Sequence, residues 1–234
     1  MSGPRLLDLF CKAGGAAKGY YDAGFEVVGV DIEPQPRYPY EFHQADALKV
    51  LETGQVTDDL PIAGCFDAIH ASPPCQDHSA TRDFGGDHGT GWMLAATLER
   101  LRSFPVPWVV ENVATAPLAR QDDLFGASGL TLCGCMFPGL RGLLYEDRVF
   151  QTSFAIPQPR HVLHVWPQTK MGRAPVPGEC MQVTGHFTDA AEGRRRMGIP
   201  WMTRDELAQA IPPAFTEHIG RALLEQITAP REAA

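Results

Sequence analysis

The first half of the chain alternates short apolar strands with helical segments, and this alternation constrains the fold more than any other feature. Residues 5–10 predict a strand, a glycine cluster at 13–15 opens a helix that continues to about 23, and 25–30 predict a second strand. Later elements are expected at 42–46, 47–52, 66–71, 92–103 and 107–112. Such alternation predicts an α/β fold with a mostly parallel sheet and helices on both faces.

The second half of the sequence is less regular. Further apolar segments lie near 131–137, 148–154 and 182–187. Five prolines between Pro157 and Gly178 predict an irregular excursion, since proline fixes φ and removes a hydrogen-bond donor. At the end, Thr203 can cap a short helix, and residues 214–227 show helical periodicity.

Composition excludes several classes of protein. The 234 residues favour one domain of ordinary size, and their formal net charge of -8 weighs against tight non-specific binding to nucleic acid. No apolar run approaches a membrane span, and the first residues lack the long apolar stretch of a secretory signal, so we expect a soluble intracellular protein. Six cysteines are too sparse for a disulfide scaffold, so we interpret them as thiols.

The first chemical signal is a glycine turn between two strands. Gly14 and Gly15 follow the first strand, and the second strand ends on Asp31, seventeen positions after Gly14. Glycines let a ligand lie against the backbone, and an acid at that point can accept both hydroxyls of a ribose. The G-x-G-x-x-G pattern is absent, so S-adenosylmethionine fits better than NAD. A tight turn without a ligand is the alternative.

The second and third signals end two later strands. In Ser72-Pro73-Pro74-Cys75-Gln76, two prolines hold Cys75 rigidly at the carboxyl edge of the sheet, where open α/β sheets bind ligands, so Cys75 is a candidate nucleophile. A buried core cysteine is the alternative. Glu111 ends the next strand, and burial would raise its pKa and let it donate a proton. The alternative is that Glu111 caps a helix. Residues 76–91 are expected to form a long surface loop.

These motifs stand in the order DLFCKAGGAAKGY, GVDIEPQP, ASPPCQ, VVENVATA, DRVF and AIPPAFTEHIG. The sequence resembles the cytosine-C5 DNA methyltransferases from about Leu7 to Gly220, and more closely their compact, phage-type DNA methylases. The resemblance implies a Rossmann-like, S-adenosylmethionine-dependent methyltransferase in the cytoplasm of a bacterium or a phage-infected host cell, with a monomer favoured. Residues 1–154 and 191–234 would form the catalytic domain, and 155–190 a short irregular insertion in place of a target-recognition domain.

The resemblance also implies residue roles. Cys75 would attack carbon 6 of a cytosine flipped out of DNA, Glu111 would protonate ring nitrogen 3, and Arg148 would contact the base carbonyl. Carbon 5 would then take a methyl group from S-adenosylmethionine, and the loop after Cys75 would close behind the flipped base. The implied cofactor-binding residues are Phe10 on adenine, Gly14 and Gly15 on the methionine part, Asp31 on ribose, Asp46 on the adenine amine, and Ile32, Pro74 and Gln209 nearby.

Three departures from the family pattern qualify these roles. Lys12 replaces a glycine, and its side chain points either to solvent, which we favour, or to the cofactor's carboxylate. Tyr145-Glu146-Asp147 replaces arginine-rich sequence, so phosphate or base contacts are missing there. Gln209 follows Ala208 where Gly-Asn is usual, which bears on cofactor affinity and leaves room for a variant sulfonium donor.

With little chain left for reading bases, we expect a very short recognition sequence or relaxed specificity, and weak, salt-sensitive DNA affinity. Candidate phosphate contacts are Arg160, Arg173 and Arg194-Arg195-Arg196, although the last three could be a solvated helix face. The same chemistry on RNA or a free cytidine nucleotide, and a catalytically silent binding partner, are the alternatives.

A zinc site can also be drawn from Cys133, Cys135, His161, His164 and Cys180. The Cys-x-Cys spacing is tighter than the usual Cys-x2-Cys, and the resemblance assigns Cys133 to a structural segment, so we expect no metal.

Overall fold

The computed structural model describes residues 3–74, 89–118, 128–170, 172–185 and 187–229. Cys75 and most of the predicted 76–91 loop lie outside these ranges. The strands are β1 (Arg5–Leu9), β2 (Glu26–Asp31), β3 (Glu41–Gln44), β4 (Gln55–Thr57), β5 (Leu60–Pro61), β6 (Ala68–Ala71), β7 (Trp108–Val113), β8 (Ser128–Cys133) and β9 (Asp147–Thr152). The α-helices are α1 (Gly15–Ala23), α2 (Ala47–Thr53), α3 (Trp92–Leu101), α4 (Ala190–Met197), α5 (Arg204–Leu207) and α6 (Pro213–Thr228).

Seven strands form one mixed sheet in the order β3-β2-β1-β6-β7-β9-β8. Neighbouring strands from β3 to β7 are parallel, and β9 runs antiparallel to both β7 and β8. The predicted α/β fold with a mostly parallel sheet is therefore confirmed. The strand order reverses between β1 and β6, which is the switch point where open α/β sheets form a ligand crevice.

The sheet is covered on both faces because successive strand residues point to opposite sides. Leu6 of β1 joins one apolar cluster, which includes α1 and α6, and Leu7 joins the other, which includes α2 and α3. Both leucines are fully buried, as the near-continuous apolar strands of a parallel sheet require. The predicted helices on both faces are confirmed.

Some elements differ from the predictions. The first strand ends at Leu9 and not at residue 10, because Phe10 has a φ of 58° and begins the turn. The short antiparallel pair β4 and β5 carries too few apolar residues to be recognised in the sequence. Residues 182–185 and 187, of the predicted apolar segment, are not in a strand.

The last two helices are fixed by caps and by one close approach. The Thr203 hydroxyl accepts from the backbone N–H of Glu206, and the Glu206 carboxylate accepts from that of Thr203, which confirms the predicted start of α5. Gly19 of α1 allows α6 to pack closely, since a Cβ there would lie 2.1 Å from the Pro213 carbonyl oxygen. This contact holds the first turn of α6 against α1.

The described part of residues 155–189 contains no helix or strand, only isolated bridges from Gln168 to Cys180 and from Leu144 to Met181. Cys11, Cys65, Cys133, Cys135 and Cys180 are free thiols, as predicted. Among the described helices, none combines the length and apolar character needed to span a bilayer.

Candidate active site

A cavity of about 1300 Å³ opens at the carboxyl ends of β1, β2, β6 and β7, the edge that the strand order predicts. Nine of the predicted site residues line it: Phe10, Gly15, Asp31, Ile32, Asp46, Pro74, Glu111, Arg148 and Gln209. Gly14 is not among the lining residues, and Cys75 lies outside the described part of the chain. The fold thus brings residues from widely separated parts of the sequence to one cleft.

The glycine turn is shaped by a run of left-handed backbone conformations. Phe10, Lys12 and Gly14 have φ values of 58°, 45° and 88°. Position 14 requires glycine for two reasons. Its positive φ disfavours other residues, and a Cβ there would lie 3.1 Å from the ring of Tyr38. At Gly15, a Cβ would lie 2.9 Å from the Ile211 carbonyl oxygen. Gly15 therefore lets the chain before α6 close one side of the cavity.

Asp31 is held in a fixed orientation at the end of β2. Its Oδ2 accepts from the Lys12 backbone N–H and its Oδ1 from the Glu33 backbone N–H, both at 3.0 Å. The residue is only 3% exposed, and it lines the cavity. The Lys12 amine pairs with Glu33 at 2.9 Å and lies 3.9 Å from Asp31. Lys12 is partly exposed and sits at the Asp31 side of the cavity.

Asp46 has a structural duty besides its place in the cavity wall. Its Oδ1 accepts from the backbone N–H groups of Leu48, at 2.9 Å, and Lys49, at 3.4 Å, and so caps α2. A capping aspartate is rigid, so any ligand that contacts this carboxylate meets it in one position.

The Pro73-Pro74 turn is tied to β7 by Asn112. The fully buried Asn112 side chain donates from Nδ2 to the Pro73 carbonyl oxygen at 3.0 Å, and its Oδ1 accepts from the Val113 backbone N–H. The residues leading into Cys75 are therefore positioned by the strand that carries Glu111.

A buried chain of hydrogen bonds connects Tyr20 to Glu111 through His70 and Ser72. The Tyr20 hydroxyl and His70 Nδ1 are 2.9 Å apart, His70 Nε2 and the Ser72 hydroxyl are 2.7 Å apart, and Ser72 bonds the Glu111 carboxylate. Burial lowers the pKa of His70 to about 3, so the imidazole is neutral. A neutral ring can accept from Tyr20 and donate to Ser72, which leaves the Ser72 hydroxyl to donate to Glu111.

Glu111 and Glu146 share the guanidinium of Arg148. Arg148 Nε lies 3.1 Å from Glu111 Oε1, and its Nη2 forms an ion pair with Glu146. All three side chains are less than a tenth exposed. Burial raises the pKa of each glutamate to about 7, and the Arg148 charge only partly opposes this effect. One cation cannot fully neutralise two buried carboxylates, so the centre holds a proton near neutral pH.

The arginines predicted to contact phosphate differ in their exposure and in their partners within the protein. Arg194 donates to the Met202 carbonyl oxygen, and Arg196 donates to the carbonyl oxygens of Leu143 and Glu179. Both therefore have structural roles, and the phosphate interpretation is wrong for Arg196, whose side chain is 6% exposed. Arg195 is 64% exposed beside Glu192.

The other two candidate phosphate contacts, Arg173 and Arg160, lie in different surroundings. Arg173 lines the cavity and pairs with Glu179, and Arg160 is exposed.

Sequence reasoning missed three parts of this site. In the sequence, Glu146 stands out only as a replacement for arginine, because its burial against Arg148 is a tertiary feature. Asn112 lies within VVENVATA, and no local pattern indicates its hydrogen bond to Pro73. Asp8 is fully buried in the cavity wall, where burial and then the Asp31 charge raise its pKa. The apolar surroundings of Asp8 in β1 were the available signal.

The same fold occurs in solved methyltransferases. A chain described as a DNA modification methyltransferase encoded within an E. coli prophage superposes with a TM-score of 0.61 at 12% identity, over 95% of this chain and 99% of that one. The S. pombe Dnmt2 methyltransferase gives 0.58 at 13% identity, over 96% and 99% of the two chains. At these identities the likeness establishes a methyltransferase-type α/β fold.

The family is established by the sequence. Residues 4–122 match the C-5 cytosine-specific DNA methylases, over half of the chain, and the protein belongs to that family. The type II methyltransferase M.AgeI of Thalassovita gelatinovora is 25% identical over 118 residues, which cover 47% of this chain but only 28% of that protein. M.HgiGI of Herpetosiphon aurantiacus is 25% identical over 120 residues, covering 50% of this chain and 95% of that protein.

Proposed function

We propose that this protein transfers a methyl group from S-adenosylmethionine to carbon 5 of cytosine in DNA. The observation that carries the proposal is the buried contact between Glu111 and Arg148 in a cavity that the glycine turn and Asp31 also line. The proton donor and the fixed cation stand on β7 and β9, and the candidate ribose acceptor ends β2, which β1 and β6 separate from β7 in the sheet. Membership in the C-5 cytosine-specific DNA methylase family supports cytosine in DNA as the substrate.

The cavity suits S-adenosylmethionine by the chemistry of its lining. Asp31 offers an oriented carboxylate for the ribose hydroxyls, and Phe10 and Ile32 offer apolar surface for adenine, with 65% of Ile32 exposed. Asp46 offers a rigid acceptor, and Gln209 closes the same wall. Because Gly15 has no side chain, the backbone at Ile211 can pack against it and close the cavity wall. Gly14 does not line the cavity but sets the conformation of the turn. When bound, the cofactor supplies an electrophilic methyl group.

Cys75 is proposed as the nucleophile. Its thiolate forms a bond to carbon 6 of the cytosine, and the electron pair of the 5,6 double bond becomes available at carbon 5. Pro74 lines the cavity immediately before Cys75, and Asn112 fixes the Pro73 carbonyl, so the approach to the nucleophile is rigid on its amino-terminal side.

Glu111 is proposed to protonate ring nitrogen 3 as the carbon 6 bond forms. With a pKa of about 7, part of the Glu111 population is protonated at neutral pH. An exposed glutamate would be almost fully ionised at that pH. Arg148 would meet the base carbonyl and oppose the charge that builds there. After methyl transfer, loss of the carbon 5 proton restores the double bond and expels the Cys75 thiolate.

The test is to incubate the full chain with labelled S-adenosylmethionine and duplex DNA, tRNA or dCMP, then to digest the product and measure 5-methylcytosine. We expect product on DNA from the wild type and from the matched control Cys65→Ser, and none from Cys75→Ala. Product from Cys75→Ala at the wild-type rate, or no product on any substrate, would overturn the proposal. Product on tRNA or dCMP alone would replace DNA as the substrate.

A second test detects the covalent step itself. Duplex DNA in which cytosine is replaced by 5-fluorocytosine cannot lose the group at carbon 5, so the adduct should persist in a denaturing gel. We expect the adduct with wild type and Cys65→Ser, and its loss with Cys75→Ala. Glu111→Gln should form it far more slowly.

A further inference from the structure

A second chemical cluster lies away from the cavity, at the edge strand β8. Cys133 ends this strand, and Cys135 follows in the short 3-10 helix Gly134–Met136. His161 and His164 come from the irregular segment after β9. One ligand-type atom from each of the four residues lies within 4.8 Å of the other three. Four such atoms from two separate segments therefore converge on one point.

The individual contacts bring soft and nitrogen donors together. The Cys133 and Cys135 sulfur atoms are 3.3 Å apart, and Cys133 Sγ is 3.2 Å from His164 Nε2. The ring centroids of His161 and His164 are 5.0 Å apart. A tetrahedral zinc ion with two thiolate and two imidazole ligands separates its donor atoms by roughly 3.3 to 3.8 Å, given metal–ligand bonds of about 2.0 to 2.3 Å. The sulfur–sulfur and sulfur–nitrogen distances of 3.3 and 3.2 Å lie at or just below the lower end of this range.

The orientation of His164 is fixed by its surroundings. Its ring stacks on Tyr145 with centroids 4.0 Å apart and planes inclined by 12°. The Tyr145 hydroxyl in turn accepts from the Trp166 backbone N–H at 3.0 Å. Cys133 and Cys135 are buried while both histidines are exposed, so the group has an inner thiol side and an outer imidazole side. Ligands held by neighbouring groups are typical of built metal sites.

We propose that Cys133, Cys135, His161 and His164 bind one zinc ion with a structural role. Two thiolates and two imidazoles in a compact group favour zinc over magnesium or calcium, which prefer oxygen ligands. Four protein ligands fill a tetrahedral shell and leave no open position for substrate. Cys180, which the sequence also suggested, is not a member of the group. The expectation of no metal rested on the short Cys-x-Cys spacing and on the structural segment that the resemblance assigns to Cys133. The fold nevertheless places the two sulfur atoms 3.3 Å apart, with donor atoms of both histidines beside them.

A zinc ion at this site would also affect the wall of the active-site cavity. Soon after His164 the chain reaches Thr169, Lys170 and Arg173, which line the cavity. Among the described residues from 155 to 189, no helix or strand holds this segment, which is tied down by isolated bridges and by hydrogen bonds such as that from Gln158 to the Thr131 carbonyl oxygen. A zinc ion would anchor its beginning to the sheet edge and so restrict how the wall can move.

The experiment is metal analysis of the full chain purified without added chelator. We expect one zinc ion per chain in the wild type and in the matched controls Cys65→Ser and His43→Asn, which change the same residue types elsewhere. Cys135→Ser and His164→Asn should lose the metal. Cys75→Ala should keep it, so this outcome is separate from the proposed methyl transfer.

Two measurements on the wild type guard against variants that fail to fold. Replacement of zinc by Co²⁺ should give thiolate-to-metal charge-transfer absorption and the visible bands of a tetrahedral site, and a chelator should lower the melting temperature. Zinc far below one ion per chain, with no such absorption on adding Co²⁺ to the reduced protein, would overturn the proposal. A Cys133–Cys135 disulfide that persists in the fresh protein would do the same.

Discussion

The shared guanidinium of Arg148 predicts that the conservative change Glu146→Gln will alter both stability and the acidity of Glu111. Glutamine keeps the size of Glu146 and can still accept a hydrogen bond from Arg148, but it carries no charge. Without its competitor, Arg148 acts on Glu111 alone, and the direct repulsion from Glu146 also disappears. The pKa of Glu111 should therefore fall from about 7.

The stability effect follows from proton linkage. Each glutamate has a pKa of 4.5 in an unfolded chain and about 7 in the fold, so between these values the folded protein binds more protons. The stabilisation is fully present below pH 4.5 and is lost as the pH rises through 7. The loss is on the order of 3 kcal/mol for each glutamate, from a shift of about 2.5 pH units at about 1.36 kcal/mol per unit.

Glu146→Gln removes one of the two groups and weakens the shift of the other. We expect the fall in the free energy of unfolding across this pH window to shrink to half or less of the wild-type value. The assay is urea unfolding at several pH values for wild type, Glu146→Gln and the control Glu52→Gln, which neutralises an exposed glutamate on α2. An unchanged pH dependence in Glu146→Gln, or an equal change in Glu52→Gln, would refute the reasoning.

Three further predictions concern the walls of the site. Ser72→Ala removes a hydrogen bond that lowers the pKa of Glu111, so the alkaline limb of the pH–rate profile should move to higher pH, opposite to its shift in Glu146→Gln; movement in the same direction would contradict the network. Asn112→Leu should cost about 1 to 3 kcal/mol of unfolding free energy and lower kcat more than it raises KM for the cofactor, because the Pro73 carbonyl loses its donor. Gly15→Ala should destabilise by about 1 to 3 kcal/mol and weaken cofactor binding, measured by calorimetry, because its Cβ would lie 2.9 Å from the Ile211 carbonyl oxygen. The matched change Gly139→Ala meets no atom within 4 Å, and an equal effect there would argue against the steric explanation.

The sequence by itself determined the order of strands and helices and the edge where the site lies. The short strands are recognisable in the sequence because burial on both faces favours apolar side chains, as at Leu6 and Leu7. Asp31 was found because a polar residue that ends such a strand must lie at the edge of the sheet. Glu111 stands two residues before the end of β7, not at the predicted strand end, but it still lines the cavity. The three-residue strand β4 and the two-residue strand β5 were missed because they are too short to show a period.

The tertiary structure alone decided which side chains meet across the chain. Glu146 lies thirty-five positions from Glu111, and only the antiparallel pairing of β7 with β9 places Arg148 between them. The four residues of the proposed zinc site likewise belong to two segments whose contact no local spacing encodes. The local sequence pattern reflects burial and backbone preference. The pKa of a glutamate and the convergence of metal ligands depend instead on neighbours that are distant in sequence and meet only in the folded chain.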